Sequence, residues 1–210
     1  DSLKGYKGNY CTALTVNPLQ ANLSFNNAIQ QIKVRYFLSN STALRLGFNY
    51  NFIKNNNNTS SPFGPNPVNF KNERKSTVQG VNLGLEKHFK GTERLSPYVG
   101  AELTLANKSS TQKIVSGTIE TSVDGAWQIN NGFEQQGYIQ YGLNLLTGFD
   151  FYIAKHFYFG YEFAFQISKI KYKDIDVTVK GTTPPPSIVN SNDENKGISI
   201  GPSLINGIRL

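Results

Sequence analysis

Eight charged residues alternate with apolar residues along their segments, so their side chains share one face of an extended chain. They are the cations Lys33, Arg35, Arg45 and Arg209 and the carboxylates Glu86, Glu102, Asp150 and Glu162. If these segments enclose a narrow interior, the charges can act as a selectivity filter, or they can pair and fill the space. The equal numbers of cations and carboxylates and the narrowness of such an interior favour a self-neutralising network.

A second set of cations lies where an apolar face ends. Lys54 continues the face that carries Phe52, and Lys169 and Lys171 continue the face that carries Ile167. Ammonium groups at such a boundary can bind the phosphates of lipopolysaccharide. They can equally extend to water without a specific partner. The sequence leaves both interpretations open for these three lysines.

Catalytic and metal chemistry have little support in the sequence. No glycine-rich phosphate loop, CxxC or HExxH spacing occurs. The two histidines, His88 and His156, both fall beside predicted short turns. The single cysteine, Cys11, excludes an internal disulfide, and we expect a small buried or lipid-facing side chain there. We therefore expect no enzyme activity, no metal and no other cofactor.

The charge balance gives a weak indication of nucleic-acid binding. The net charge is +7 and the pI is about 9.4, but the cations are scattered instead of forming one stripe. We therefore expect no nucleic-acid partner. The 210 residues predict a single domain over 1–210, beginning with a polar lead at 1–9. No leader-like segment precedes Asp1, so a signal peptide is expected to have been removed.

Apolar and polar residues alternate with a period of two, which indicates that β-strands position these charged residues. From 139 to 153, and again from 157 to 167, one face is almost wholly aliphatic or aromatic. The other face carries glycine, amide, hydroxyl and carboxylate side chains. Strands of soluble proteins average about five or six residues, whereas spanning a bilayer takes about nine to eleven. The pattern predicts a membrane-spanning hairpin with its apolar face toward lipid.

The rest of the chain repeats this pattern in about eight strands, the first from Tyr10 to Val16. Short turns alternate with long polar excursions at about 54–77, 107–136 and 174–196, and strand extensions around 113–123 are an alternative within the second. The sequence therefore predicts an all-β fold: a transmembrane antiparallel β-barrel with short periplasmic turns and long extracellular loops. A soluble barrel or sandwich shares the alternation, but it does not need such long apolar faces.

Two stretches carry a family resemblance. The segment Ile32-Lys33-Val34-Arg35-Tyr36-Phe37-Leu38, followed by Thr42-Ala43-Leu44-Arg45-Leu46-Gly47, resembles small outer-membrane β-barrel proteins of the OmpA/OmpX and porin-like superfamily. The later segment at 142–152 resembles hairpins of the same group. The resemblance covers most strands and none of the long loops, and it implies a place in the bacterial outer membrane. The chain departs from many such barrels by ending in Leu210 instead of an aromatic residue.

These expectations combine into a functional hypothesis. We expect a non-enzymatic structural or interaction component of the outer membrane, and in its more specific form an accessory subunit of a larger outer-membrane protein complex. Its expected partners are outer-membrane lipid, lipopolysaccharide and another outer-membrane protein. The alternative is a narrow porin-like channel for small or hydrophobic solutes.

Overall fold

The computed structural model describes residues 3–16, 29–61, 68–130, 132–181, 187–189 and 194–209. Within these ranges it contains thirteen strands. They are β1 (Tyr10–Val16), β2 (Ile29–Ser39), β3 (Thr42–Ser61), β4 (Val68–His88), β5 (Leu95–Ser116), β6 (Ile119–Asp124), β7 (Trp127–Ile129), β8 (Gly132–Glu134), β9 (Tyr138–Ala154), β10 (Phe157–Tyr172), β11 (Ile175–Lys180), β12 (Ser187–Val189) and β13 (Glu194–Arg209). Among the residues described, no helix is long and apolar enough to cross a membrane.

Eight of these strands form a closed antiparallel barrel. Strands β1 to β5 pair in chain order, and β9, β10 and β13 follow in the same way. Two further pairings complete the ring, β5 with β9 and β13 with β1. Each strand of the ring therefore has two neighbours, which removes the exposed edges of an open sheet. The prediction of an antiparallel barrel of about eight strands is confirmed.

The register around the ring fixes the dimensions of the barrel. A path that steps from each residue to the one directly opposite on the next strand starts at Phe157 on β10 and goes once around the barrel. It returns to β10 at Ile167, ten residues farther along the strand, and this offset is the shear of the barrel. Eight strands with a shear of ten have a tilt of about 41° and a backbone radius of about 8 Å. An interior of that width is filled by side chains.

The same path runs along the apolar outer face. Between Phe157 and Ile167 it passes through Ile208, Thr12, Val34, Leu46, Leu83, Leu103 and Leu143. At this tilt one residue step advances about 2.5 Å along the barrel axis, and a step to the next strand advances about 3 Å. The ten steps from Phe157 to Ile167 therefore cover about 25 Å, which is the height of the apolar band of an outer-membrane barrel.

The structure differs from the sequence-based prediction in the long polar excursions. Residues 54–77 were expected to form a loop, but β3 and β4 remain paired up to the opposed residues Ser61 and Val68. Within 107–136 the strand extensions considered around 113–123 are confirmed by the end of β5 and by β6, and the stretch also contains β7 and β8. The 174–196 stretch contains β11, β12 and the start of β13. Asn, Ser and Lys are poor strand formers alone, but a neighbouring strand that supplies backbone hydrogen bonds overrides this weak local preference.

Above the apolar band the wall continues as an open sheet, which we call the upper sheet. It consists of the upper parts of β3, β4 and β5, extended by β6, β11 and β12. Strand β5 thus pairs with β9 from Leu95 to Lys108 and with β6 from Thr111 to Ser116. The β7–β8 hairpin lies against this sheet, with the indole N–H of Trp127 donating to the Lys75 carbonyl at 2.9 Å.

Gln112 links the upper sheet to this hairpin, and other polar contacts lie within the sheet between β4 and β5. The Gln112 amide donates to Asn72 Oδ1 at 3.0 Å and to the Gln128 carbonyl at 3.2 Å. Ser76 and Ser110 share a hydrogen bond at 3.1 Å. The contacts of Gln112 with Gln128 and of Trp127 with Lys75 hold the β7–β8 hairpin against the upper sheet, at the end of the barrel opposite the short turns.

The β5–β9 seam can be tested with an engineered disulfide. Ala101 and Leu145 are directly opposed across it, so Ala101→Cys with Leu145→Cys, in a Cys11→Ser background, should oxidise readily in the folded protein. After boiling, the oxidised protein should run slightly faster than the reduced protein, because the disulfide keeps a loop of the unfolded chain closed.

The matched control is Ala101→Cys with Leu143→Cys, which is displaced by one residue pair on the same face. Equal oxidation of the two cysteine pairs would contradict the register, and failure of both would contradict closure of the barrel through this seam.

Candidate functional site

Arg45 is at the centre of the ion network inside the barrel. Its guanidinium contacts three carboxylates, Glu86 at 2.6 Å, Glu102 at 2.8 Å and Glu162 at 2.9 Å. These carboxylates come from β4, β5 and β10, so one side chain links three strands to β3. The Arg45 side chain is only 1% exposed. A buried guanidinium is stable only when carboxylates satisfy it in this way.

Arg35 forms the second centre. Its guanidinium contacts the Asp150 carboxylate and reaches Glu86 at 3.1 Å. The Arg35 guanidinium carbon also lies 5.0 Å from the centre of the Tyr98 ring, a cation–π contact. The contacts made by the Nε atoms of Arg35 and Arg45 are ionic contacts without hydrogen-bond alignment.

The two arginines face each other across the β2–β3 turn, where like charges would repel. Glu86 lies between them, with Oε1 toward Arg45 and Oε2 toward Arg35. Glu162 completes the network, because it accepts hydrogen bonds from Lys33 at 3.1 Å and from the Tyr98 hydroxyl at 2.8 Å. The structure therefore brings together seven of the eight residues that were predicted from side-chain parity.

The eighth predicted residue is Arg209. Its backbone is opposite Cys11 in the β1–β13 pairing, but its side chain lies outside the described residues. The described members are three cations and four carboxylates. The predicted equal numbers of cations and carboxylates therefore depend on Arg209. All seven described members are at most 5% exposed.

Below the ion network, at the short-turn end, lies an apolar layer that we call the floor. It consists of Cys11, Ala13, Phe37, Ala43, Tyr152 and Tyr158, with Leu3 packed against it. The N-terminal lead folds under this layer: the Gly8 N–H donates to the Phe37 carbonyl and the Gly5 N–H reaches the Tyr152 hydroxyl at 3.4 Å.

Gly5 is required where the lead passes the floor. A Cβ atom at this position would lie 2.4 Å from the Phe37 ring. Nothing in the composition of residues 1–9 predicted that the lead closes the barrel end. The glycine is the one local signal that could have indicated a close approach of the backbone. Cys11 is buried as a small side chain, which is one of the two positions expected for it.

One constellation resembles a hydrolase triad. His88 Nδ1 lies 2.9 Å from Ser96 Oγ, and His88 Nε2 lies 3.3 Å from Glu86. The Ser96 side chain is nevertheless buried, and the His88 ring packs between Phe37 and Tyr98. The Glu86 carboxylate already binds two arginines, so this chain of hydrogen bonds extends the ion network toward the floor. Catalysis would need a nucleophile that a substrate can reach.

The three predicted boundary lysines lie on the outer face, all exposed. Lys54 is directly opposed by Lys75 on β4, and Lys169 is directly opposed by Lys196 on β13. Lys169 also forms an ion pair with Glu194 at 2.8 Å. Its hydrogen bond, together with neighbouring lysines, holds the pKa of the Glu194 carboxyl below its usual range. The sequence did not single out Lys75 or Lys196, because their positions opposite Lys54 and Lys169 depend on strand register.

The closed barrel, its apolar outer band and its filled interior define an integral outer-membrane β-barrel of bacteria. The sequence matches the putative OmpA-OmpF-like porin family over residues 17–200, and the chain belongs to that family. A search of curated proteins found no match.

Three solved structures are similar in fold, each at 12% identity. The N-terminal barrel domain of Pseudomonas aeruginosa OprF matches 98% of this chain and 100% of that one, with a TM-score of 0.43. OprG from the same organism matches 100% and 99%, also with a TM-score of 0.43. CarO2 of Acinetobacter baumannii matches 98% and 100%, with a TM-score of 0.35.

The ion network predicts a large effect for a small change. Glu86→Gln keeps the shape of the side chain but leaves Arg35 and Arg45 facing each other without the carboxylate they share. The free energy of unfolding should fall by about 3–5 kcal/mol, as is typical when one partner of a buried ion pair is removed. The measurement is the urea midpoint of the gel-mobility transition in detergent.

The control is Glu73→Gln, which removes a carboxylate from the exposed pair with Lys71. Its urea midpoint should stay close to that of the parent, since exposed pairs contribute little. A Glu86→Gln midpoint as high as the control would mean that water solvates the two arginines.

Proposed function

We propose that this barrel is a non-enzymatic structural and interaction component of the outer membrane, an accessory subunit of a larger outer-membrane assembly. The observation that carries the proposal is the filled interior. The floor and the ion network lie in consecutive layers, and their described side chains are almost completely buried. An interior filled in this way supports the barrel more readily than it conducts solutes.

The energetics of the network favour a closed state. A continuous path for solutes would require Arg45 or Arg35 to leave its carboxylates, and breaking a buried ion pair costs about 3–5 kcal/mol. The paired charges therefore resist separation, which supports a role in which the lumen provides rigidity while the outer surfaces bind partners.

The upper sheet is the surface that supports a protein partner. Residues 51–60 of β3 are all exposed, although they belong to a regular strand. The seven residue steps from Lys54 to Ser61 reach about 17 Å beyond the apolar band. A paired sheet of this length presents a preformed polar surface, which loses less conformational entropy on binding than a mobile loop. We propose another outer-membrane protein as the partner.

At the edge of the band we propose a lipid-binding role. Lys54, Lys169 and Lys171 project from the outer face immediately beyond Phe52 and Ile167. This is the level at which headgroup phosphates lie when the short-turn end is periplasmic. Outer-membrane lipid, and lipopolysaccharide in particular, is therefore the second proposed partner.

The alternative function is a narrow channel for small or hydrophobic solutes. The observation in its favour is the family itself, which is described as porin-like. The structural role and the channel predict different electrical conductance across a bilayer. Purified protein in planar bilayers should give no steady single-channel steps under conditions in which a general porin does. Reproducible steps that persist after repurification would establish the channel.

A partner that binds the upper sheet should depend on the β3–β4 hairpin. Replacing residues 57–72 by Asn-Gly joins Asn56 to Glu73, which are directly opposed, so the register below is preserved. Gentle detergent extraction should recover a stoichiometric companion with the parent and lose it with this variant. The companion must be lost without a change in the heat-dependent gel mobility of the barrel. Retention of the companion by the shortened hairpin would contradict binding at this surface.

A further inference from the structure

Two lysine pairs on the outer face share one arrangement. Lys54 opposes Lys75 on β3 and β4, and Lys169 opposes Lys196 on β10 and β13. In both cases the pair is the first one beyond the apolar band, directly after Phe52 on β3 and directly after Ile167 on β10. We call them the first and the second lysine pair.

Direct opposition of like charges on one face of an antiparallel sheet is unfavourable, because the side chains start about 5 Å apart. One carboxylate lies near each pair, and it offsets at most one of the positive charges there. Near the first pair Glu73 is bound to Lys71 at 3.2 Å, and near the second pair Glu194 is bound to Lys169 at 2.8 Å. In the described part of the chain, Lys54, Lys75 and Lys196 form no ion pair.

The two pairs lie at nearly the same height on different parts of the wall. Phe48 and Lys169 belong to one row of opposed residues, four strands apart. Four strand steps place Lys169 about 12 Å above Phe48 along the axis. Lys54 is six residues along β3 from Phe48, which places it about 15 Å above. A shared height is expected if both pairs meet one planar layer of anions.

We infer that each lysine pair is a binding site for one phosphate group of an outer-leaflet glycolipid of the lipopolysaccharide type. The inference rests on the proposed headgroup role of Lys54 and Lys169 and extends it to Lys75 and Lys196. A phosphate placed between two ammonium groups accepts hydrogen bonds from both and removes their repulsion. The acyl chains of the same lipid lie along the apolar face below.

Neighbouring side chains fit this assignment. Tyr50 lies on the same face of β3 below Lys54, and Tyr141 is directly opposite Lys169 on β9; both are more than half exposed. Tyrosine is enriched at membrane interfaces, where its ring contacts acyl chains and its hydroxyl contacts the headgroup region. Each lysine pair therefore has an interfacial aromatic residue beside it.

The test measures binding of lipopolysaccharide with a bisphosphorylated lipid A to the purified barrel in detergent, counted by native mass spectrometry. The parent should bind two molecules. Lys75→Gln and Lys196→Gln should each lower the affinity of one site by about tenfold, as Lys54→Gln and Lys169→Gln should, because each removes a charge-assisted hydrogen bond. The double variant of either pair should bind one molecule.

Lys113→Gln with Lys180→Gln is the matched control, because it removes two exposed charges from the same end of the protein, beyond the band. It should still bind two molecules. If only Lys54→Gln and Lys169→Gln weaken binding, the headgroup role stands and the pairing is overturned. If no variant differs from the parent, both fail. Phosphatidylglycerol bound as tightly as the glycolipid would overturn the assignment to lipopolysaccharide.

Discussion

The structure depends on one carboxylate shared by two arginines. Arg35 and Arg45 are directly opposed on neighbouring strands, and they point into an interior too narrow to hydrate them. Glu86 binds both, and Asp150, Glu102 and Glu162 supply the remaining contacts. The network joins β2 and β3 to the strands on the far side of the barrel. Closure of the ring completes the neutralisation, because it brings Asp150 on β9 and Glu162 on β10 to the two arginines, whereas Glu86 and Glu102 lie on the nearby strands β4 and β5.

Much of this arrangement was predictable from the sequence. Strand β1 has the predicted bounds, and seven network residues were identified from side-chain parity alone. Parity is sufficient inside a barrel because residues of one parity all face the same small volume. The membrane-spanning hairpin was indicated in the same way. A buried apolar or ionic face imposes a pattern on the sequence, and that pattern can be read without the structure.

The features that the sequence did not reveal depend on register or on backbone contacts. The upper parts of β3 and β4 are rich in Asn, Ser, Thr and Lys, a composition that indicates a loop; pairing with neighbouring strands makes them strands. Lys75 and Lys196 gain significance from the residues opposite them. The lead at 3–9 closes the barrel end largely through backbone hydrogen bonds, which leave no signature in side-chain type.

The turn between β5 and β6 is exposed and lies far from the membrane, so it is accessible to macromolecules in solution. Gly117 adopts a positive φ of 61° with open space around it, and the adjacent residues Ser116 and Thr118 are exposed. The turn lies about 20 Å farther from the membrane than the apolar band, by the same rise per residue and per strand. A macromolecule that approaches this end of the barrel from solution, such as an antibody, would therefore meet this turn before it meets the membrane-spanning wall. A short epitope inserted after Gly117 would be displayed there without interrupting any strand of the barrel.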